Sequence, residues 1–337
     1  MDTNVKASIL LPVYNAASFL SEAIESIINQ SFKDFEFIIL NDGSNDASKD
    51  IIFSFNDARI KYVENETNLG LIKTLNKGID LCNGKYIFRM DADDICEPQR
   101  IEKQILFMEK YPDVGVCGTW AQIINNKGDI AGKIINQTTP PFLSVSLLFT
   151  VPLVHPAVCF RASVLKKHLY HEVLIAEDFD LWNRLDKETK MANIPEFLFR
   201  YRWHDTNISK EKQHIQDENK EMLIRRGLSE LALDPDDETM RIHRLSFSLY
   251  SLGKGTQTEI CSSDLKKSGQ WFSKLLSANK SHKKYSQQAL RAFLWGRWFV
   301  LCKTAKKTHK AFFPPFFSLS PKVWYYLSQQ ILLLAKK

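Results

Sequence analysis

Short apolar runs alternate with helical stripes over the first hundred residues. Ser8–Val13, Phe35–Leu40, Ile60–Val63 and Tyr86–Met90 are strand-sized runs, and Phe19–Asn29, Ala47–Phe55 and Leu71–Leu81 between them carry apolar residues at helical spacing. This βα alternation predicts a parallel sheet covered by helices. In the first helix Leu20, Ile24 and Ile28 recur every four residues beside Phe19, Ala23 and Ile27, one wide stripe suited to lie on a sheet. Pro98, followed by Ile101, Ile105 and Met108 and stopped near Pro112, predicts a helix over Gln99–Lys110. Val114–Trp120 and Ala121–Asn125 then read as two strands, Asn126-Lys127-Gly128-Asp129 as a turn, and the mixed segment to about residue 210 as an extension of the same sheet. Beyond about 211, helical patterns dominate.

Composition narrows the class. A chain of 337 residues, 44% hydrophobic, can bury one large domain plus an extension, or two domains. Cys82, Cys96, Cys117, Cys159, Cys261 and Cys302 are scattered with no CxxC pair, so neither a disulfide framework nor a thiolate metal site is expected. No export signal is visible at Met1–Val13, and a cytoplasmic protein is the default reading. The net charge of +6 is uneven: residues 266–337 hold 15 basic and no acidic residues, leaving 30 basic against 39 acidic, a net −9, in 1–265. The basic tail suits an anionic surface, membrane lipid or nucleic acid, while the acidic body is a poor nucleic-acid binder, and no nucleic-acid partner is expected.

Ligands of open parallel sheets bind beyond the carboxyl ends of the strands. The first strand runs into Tyr14-Asn15, the second into Asn41-Asp42-Gly43-Ser44-Asn45-Asp46, and the last into Asp91-Ala92-Asp93-Asp94. The second of these alone would pass for a turn and helix cap. Asp91-Ala92-Asp93-Asp94 is different, because in extended chain Asp91 and Asp93 project to one side. Their repulsion calls for a cation, and Mg²⁺ or Mn²⁺ shared with a diphosphate matches carboxylate ligands. No Gly-x-Gly-x-x-Gly follows the first strand, and Gly78 to Gly84-Lys85 misses the phosphate-loop spacing, with Tyr86 where Ser or Thr belongs. Dinucleotide oxidoreductases and P-loop ATPases are thereby excluded.

Five ordered segments resemble glycosyltransferase family 2, inverting enzymes of the GT-A fold: Leu11-Pro12-Val13-Tyr14-Asn15-Ala16, Asn41 to Asp46, Glu66-Thr67-Asn68-Leu69-Gly70-Leu71, Asp91 to Asp94, and Glu177-Asp178-Phe179-Asp180-Leu181-Trp182. The resemblance covers roughly residues 6–210. It implies an α/β GT-A fold, Rossmann-like, with a mostly parallel mixed sheet flanked by helices and a C-terminal helical extension. Residues 1–98 would be the nucleotide-binding half, 99–210 the acceptor half, and 211–337 a basic helical region. The resemblance implies that Pro12, Tyr14 and Asn15 line the nucleobase and ribose pocket and that Asp42 accepts from the uracil ring N–H. Asn68, Gly70 and Lys73 would follow ribose and phosphates, with Ala92 and Arg202 also on the donor side. Asp93 would ligate Mn²⁺ or Mg²⁺, joined by Asp91, which would otherwise face ribose, and by His204. Asp178 would be the catalytic base, since an acceptor hydroxyl must lose its proton as it attacks, with Glu177 beside it. His155-Pro156-Ala157 and Arg200-Tyr201-Arg202-Trp203-His204 also resemble family segments.

The donor implied is a UDP-sugar and the acceptor a lipid-linked glycan or oligosaccharide. In the tail, Arg291, Phe293, Leu294, Trp295, Arg297, Trp298 and Phe299, then Lys303, Lys306, Lys307 and Lys310, precede Phe312 to Phe317 and Trp324-Tyr325-Tyr326. No stretch there is long enough to span a bilayer. Two readings stand: an interfacial anchor on the cytoplasmic face of the inner membrane, or a helical cap or homo-oligomer contact with buried aromatics. A sugar-nucleotide nucleotidyltransferase would need a Gly-rich basic loop where Tyr14-Asn15-Ala16-Ala17 stands. A non-catalytic sugar- or lipid-binding module is the remaining alternative.

Overall fold

The computed structural model describes residues 5–172, 176–204, 213–251, 260–307, 314, 325–328 and 330–331. Two compact units emerge: 1–138 with 153–217, and 139–152 with 218–337. The segment 139–152 thus belongs with the C-terminal helices, a partition that a single boundary at 210 does not contain.

The first unit is built on a nine-stranded sheet: β1 Ala7–Val13, β2 Phe35–Asn41, β3 Ile60–Glu64, β4 Tyr86–Arg89, β5 Ile95–Cys96, β6 Val114–Ile124, β7 Ile130–Ile134, β8 Cys159–Arg161 and β9 Lys190–Arg202. Their order is β3-β2-β1-β4-β8-β6-β9-β5, with β7 beside β6. β3, β2, β1 and β4 are parallel, in registers such as Leu10↔Ile38 and Leu10↔Arg89. β8 is antiparallel to both β4 and β6, which joins the parallel half to the rest. The chain leaves β1 toward β2 and β3, then returns to β4 on β1's other side, so a crevice opens beyond the carboxyl ends of β1 and β4.

Helices α1 Leu20–Ile28, α2 Ser48–Ser54, α3 Leu71–Leu81 and α4 Arg100–Lys110 fall where apolar periodicity places them. Leu20, Ala23, Ile24 and Ile27 of α1 and Ile101, Ile105 and Met108 of α4 are buried in one cluster with β1, β2 and β4. One expectation is corrected: Val114–Ile124 is a single strand. Its first half pairs with β8, its second with β7, and the register against β9 slips near Thr119–Ala121. The change of partner and the bulge account for the apparent break at residue 120.

The second unit comprises α5 Pro140–Ser146 and, after α6 Ala162–Leu165 and α7 Glu177–Leu185 of the first, the part of α8 Gln213–Ser229 from Glu218 onward, α9 Asp237–Ser251, α10 Ser262–His282 and α11 Gln287–Thr304. On α11, Phe293, Leu294, Trp295 and Trp298 are buried. These aromatics are packed inside the protein. Phe312, Phe313, Phe316, Phe317 and Trp324 lie outside the described residues. Among the described residues, no helix is long and apolar enough to cross a membrane.

His243 is the polar centre of this core. Its Nε2 is 2.6 Å from the Leu148 carbonyl, its Nδ1 accepts from Trp271 Nε1 at 2.9 Å, and its ring stacks on Phe149 at 4.4 Å. Burial holds the imidazole at about 4. A depressed histidine pKa means that the unfolded chain binds the extra proton, so the stabilisation is complete above pH 6.5 and drains as pH falls toward 4. We expect His243 to cost about 3 kcal/mol of stability between pH 7 and pH 4. His243→Phe should flatten that slope in urea titrations while lowering stability at pH 7 by about 2–5 kcal/mol, because a carbonyl and an indole N–H lose their partner.

Candidate active site

The crevice is made of loops that hold one another. At the end of β1, Asn15 takes a left-handed φ of 47°. Its N–H donates to Ser44 Oγ at 3.0 Å and its Oδ1 accepts from Asn45 N at 2.9 Å. Tyr14 beside it is half exposed. Pro12, by contrast, is buried in β1, opposite Leu40. Leu10 is the last β1 residue paired with β4, and Pro12 faces the same edge beyond it, where its missing N–H costs no ladder bond.

Asp42 is 3% exposed and works as a loop anchor. Oδ1 accepts from Asn65 Nδ2 and Leu69 N, both at 2.8 Å, and Oδ2 accepts from Gly70 N at 3.0 Å. This draws the 65–70 loop over Gly43, where any Cβ would stand 2.8 Å from Asn68 N. Gly70, at φ +86°, then starts α3. A carboxylate offers about four acceptor positions, so about one remains on Asp42 for a ligand N–H. Lys73, on the first turn of α3, is mostly exposed, 3.7 Å from the Glu172 carboxylate.

The acidic motif follows β4. Ligand oxygens of Asp91, Asp93 and Asp94 lie within 4.8 Å of one another. Asp91 is gripped at both oxygens by Arg89, at 2.6 Å each. Asp93 Oδ2 is 2.8 Å from His204 Nε2. Asp94 is fully buried; one oxygen accepts from the Arg202 N–H at 2.8 Å and the other has no partner. Burial, opposed by Arg89 and reinforced by Asp93, lifts Asp91 to about 6, and burial with the two neighbouring carboxylates lifts Asp94 well above the usual range. The cluster is short of positive charge. An orphaned buried oxygen, three converging carboxylates and an adjacent imidazole fit a hard divalent cation.

One expectation is corrected by burial. Arg202 is 1% exposed, and its guanidinium is engaged internally: to the Asp93 carbonyl at 2.7 Å, to the Asn125 carbonyl at 3.1 Å, and to Glu22 at 2.5 Å, over the Phe19 ring. So placed, it is turned inward and braces the acidic motif through the Asp93 carbonyl.

Across the cluster, α7 brings Glu177 and Asp178 to its first turn. Asp178 Oδ1 accepts from Phe179 N at 2.7 Å. Burial, then Asp178, raises Glu177 to about 7. A raised carboxyl pKa means that its ionisation opposes folding: stability is full below about 4.5 and is lost as pH rises through 7. Glu177→Gln at pH 8 should therefore stabilise the chain by about 1–3 kcal/mol, seen as a higher urea midpoint, even where turnover falls.

The sequence pattern alone assigns no separate role to Arg89 or Asp94. Arg89 had one visible signal, a charge in an apolar strand two residues before Asp91 and so on its face. Glu22, exposed on α1, had none.

The profile of Glycosyl transferase family 2 matches residues 8–174. A glycosyltransferase of Haemophilus influenzae is 33% identical over 238 residues, 66% of this chain and 73% of its own. The O-antigen biosynthesis glycosyltransferase WbnJ of Escherichia coli is 30% identical over 210 residues, 60% of this chain and 82% of its own. Among solved structures, S. aureus TarS 1-349 in complex with UDP-GlcNAc superposes with a TM-score of 0.57 at 17% identity, covering 91% of this chain and 90% of that one. The sheet order, the carboxylate-bearing crevice and these likenesses converge: the chain is a glycosyltransferase of the GT-A fold and belongs to glycosyltransferase family 2.

Proposed function

We propose that the chain transfers a hexose or N-acetylhexosamine from a UDP-sugar to an acceptor hydroxyl, inverting the anomeric centre, in the synthesis of a surface polysaccharide, O-antigen or lipooligosaccharide. The observation that carries this reading is the convergence of Asp91, Asp93 and Asp94 beside His204, with Glu177 close enough to Asp91 for their charges to interact. That TarS was solved with UDP-GlcNAc and that WbnJ acts in O-antigen biosynthesis support the donor and the pathway class.

Asp93, Asp91, Asp94 and His204 would hold Mn²⁺ or Mg²⁺; bound there, the ion supplies positive charge against the departing diphosphate. Tyr14 and Asn15 border the base and ribose, and the remaining acceptor position of Asp42 takes the uracil N–H. Asn68, Gly70 and Ala92 line the sugar-phosphate path, with Lys73 near the phosphates. Asp178 accepts the proton of the incoming hydroxyl as it attacks in line, and a single displacement inverts the centre.

The acceptor is an oligosaccharide or a lipid-linked glycan at the cytoplasmic face of a membrane. Contact with anionic lipid would use exposed Lys266, Lys267, Lys303, Lys306 and Lys307, since Trp295 and Trp298 are buried. Screening UDP-glucose, UDP-galactose and their N-acetylated forms with Mn²⁺ tests the reading. One donor should release UDP in a chelator-sensitive way; release from none, with or without a crude lipid-linked acceptor, would overturn it.

A further inference from the structure

Two buried polar side chains flank the acceptor-side carboxylates without a part in the chemistry above. His155, 9% exposed, opens a short 3₁₀ turn, His155–Ala157. Its Nε2 lies 2.7 Å from the Tyr170 hydroxyl, and its Nδ1 lies 3.8 Å from Glu177 Oε1. Trp182 of α7 meets the imidazole edge-on at 84° and 5.9 Å. Tyr170, 4% exposed, is itself fixed to α3: its N–H donates to Asn76 Oδ1 at 3.0 Å and its carbonyl accepts from Asn76 Nδ2 at 2.9 Å. A row of neighbouring residues, Asn76, Tyr170, His155 and Glu177, therefore runs from the helix that follows the Asn68–Gly70 loop to the first turn of α7.

With Glu177 ionised, this row has one consistent arrangement of protons. Burial, aided by Arg89, keeps His155 neutral, and burial keeps the Tyr170 hydroxyl protonated. A neutral imidazole has one donor and one acceptor nitrogen. Were Nε2 the donor, the Nδ1 lone pair would face the lone pairs of the Glu177 carboxylate. With the phenol donating to Nε2, the proton sits on Nδ1 and points at Glu177. The 3.8 Å gap is longer than a hydrogen bond, as is common before substrate draws a site together.

We propose that Tyr170 and His155 are positioning residues: the phenol fixes His155 as its Nδ1–H tautomer, and that N–H orients the Glu177 carboxylate next to Asp178. The inference rests on Glu177 and Asp178 being the acceptor-side pair.

Two measurements on the full chain test it. With ¹⁵N-labelled histidine, long-range ¹H–¹⁵N spectra should show His155 protonated at Nδ1, its signals identified by their loss in His155→Gln. Tyr170→Phe should shift that ring toward the Nε2–H form. An Nε2–H tautomer in the parent, or a tautomer indifferent to Tyr170→Phe, overturns the proposal.

The second is UDP release from whichever of UDP-glucose, UDP-galactose and their N-acetylated forms the parent cleaves fastest. Tyr170→Phe should lower kcat about five- to tenfold with KM for the donor unchanged. His155→Asn, whose amide replaces Nδ1, should retain more activity than His155→Gln, whose amide reaches only toward Tyr170. Equal losses in the two, tracking their melting temperatures, mean packing alone and overturn the positioning role. If the tautomer is as stated but neither Tyr170→Phe nor Asp178→Asn alters kcat, the acceptor-side assignment has failed, and this proposal with it.

Discussion

Asp178→Asn is expected to abolish transfer while leaving the donor bound. The change keeps size and a hydrogen-bonding oxygen, so the contact to Phe179 N survives. What disappears is basicity. General-base assistance is worth about 10²–10⁴-fold, and kcat for UDP release in the presence of acceptor should fall by that factor. Calorimetric affinity for UDP with Mn²⁺ should stay within about twofold of the parent, because removing a transition-state interaction lowers kcat without touching ground-state binding. A kcat within threefold of the parent would sink the assignment and make Glu177 the next candidate. Glu177 stands one residue away and titrates near 7, so the double variant should fall no further than Asp178→Asn if the two act as a unit.

The strands that carry the crevice announce themselves because strands covered on both faces need apolar side chains at every position. All seven residues of β1 and of β2 are buried, and all but Ser8, Glu36 and Asn41 are apolar, the enrichment that the hydrophobic pattern detects. The two shortest strands offer no such signal. β5, only Ile95–Cys96, and β8, only Cys159–Arg161, exist because β9, β4 and β6 present free edges to them. Such pairing is a tertiary fact with no local period. The same distinction separates the site residues. Asp91 and Asp93 share a face by local alternation, and that is readable. The inward turn of Arg202 toward Glu22, 180 positions earlier, is not, because its partner's side chain is placed by a different helix. The aromatics of α11 leave two readings open in the sequence for a related reason: Trp and Phe interleaved with Arg look alike on a membrane face and in a helical core.

Asp93→Ala should remove metal-dependent donor binding without harming the fold. Asp93 is the motif carboxylate that faces His204, at 2.8 Å, whereas Asp91 is already held by Arg89 and Asp94 by the Arg202 N–H. It is therefore the carboxylate with the least structural duty and the most to give a cation. Loss of such a ligand should weaken UDP binding in Mn²⁺ by about 100-fold, close to 3 kcal/mol. His204→Ala should cost less, about tenfold, since hard cations draw mainly on oxygen ligands. In chelator the ranking should vanish, and parent and variant should bind UDP equally. Stability supplies the control: three carboxylates within 4.8 Å repel one another when no ion is bound, so metal-free Asp93→Ala should melt at or above the parent temperature. Unchanged affinity in Mn²⁺ would place the ion elsewhere. A lowered melting temperature in chelator would instead mean that Asp93 braces His204 and the end of β9, and that the site is held together by hydrogen bonds rather than by a cation.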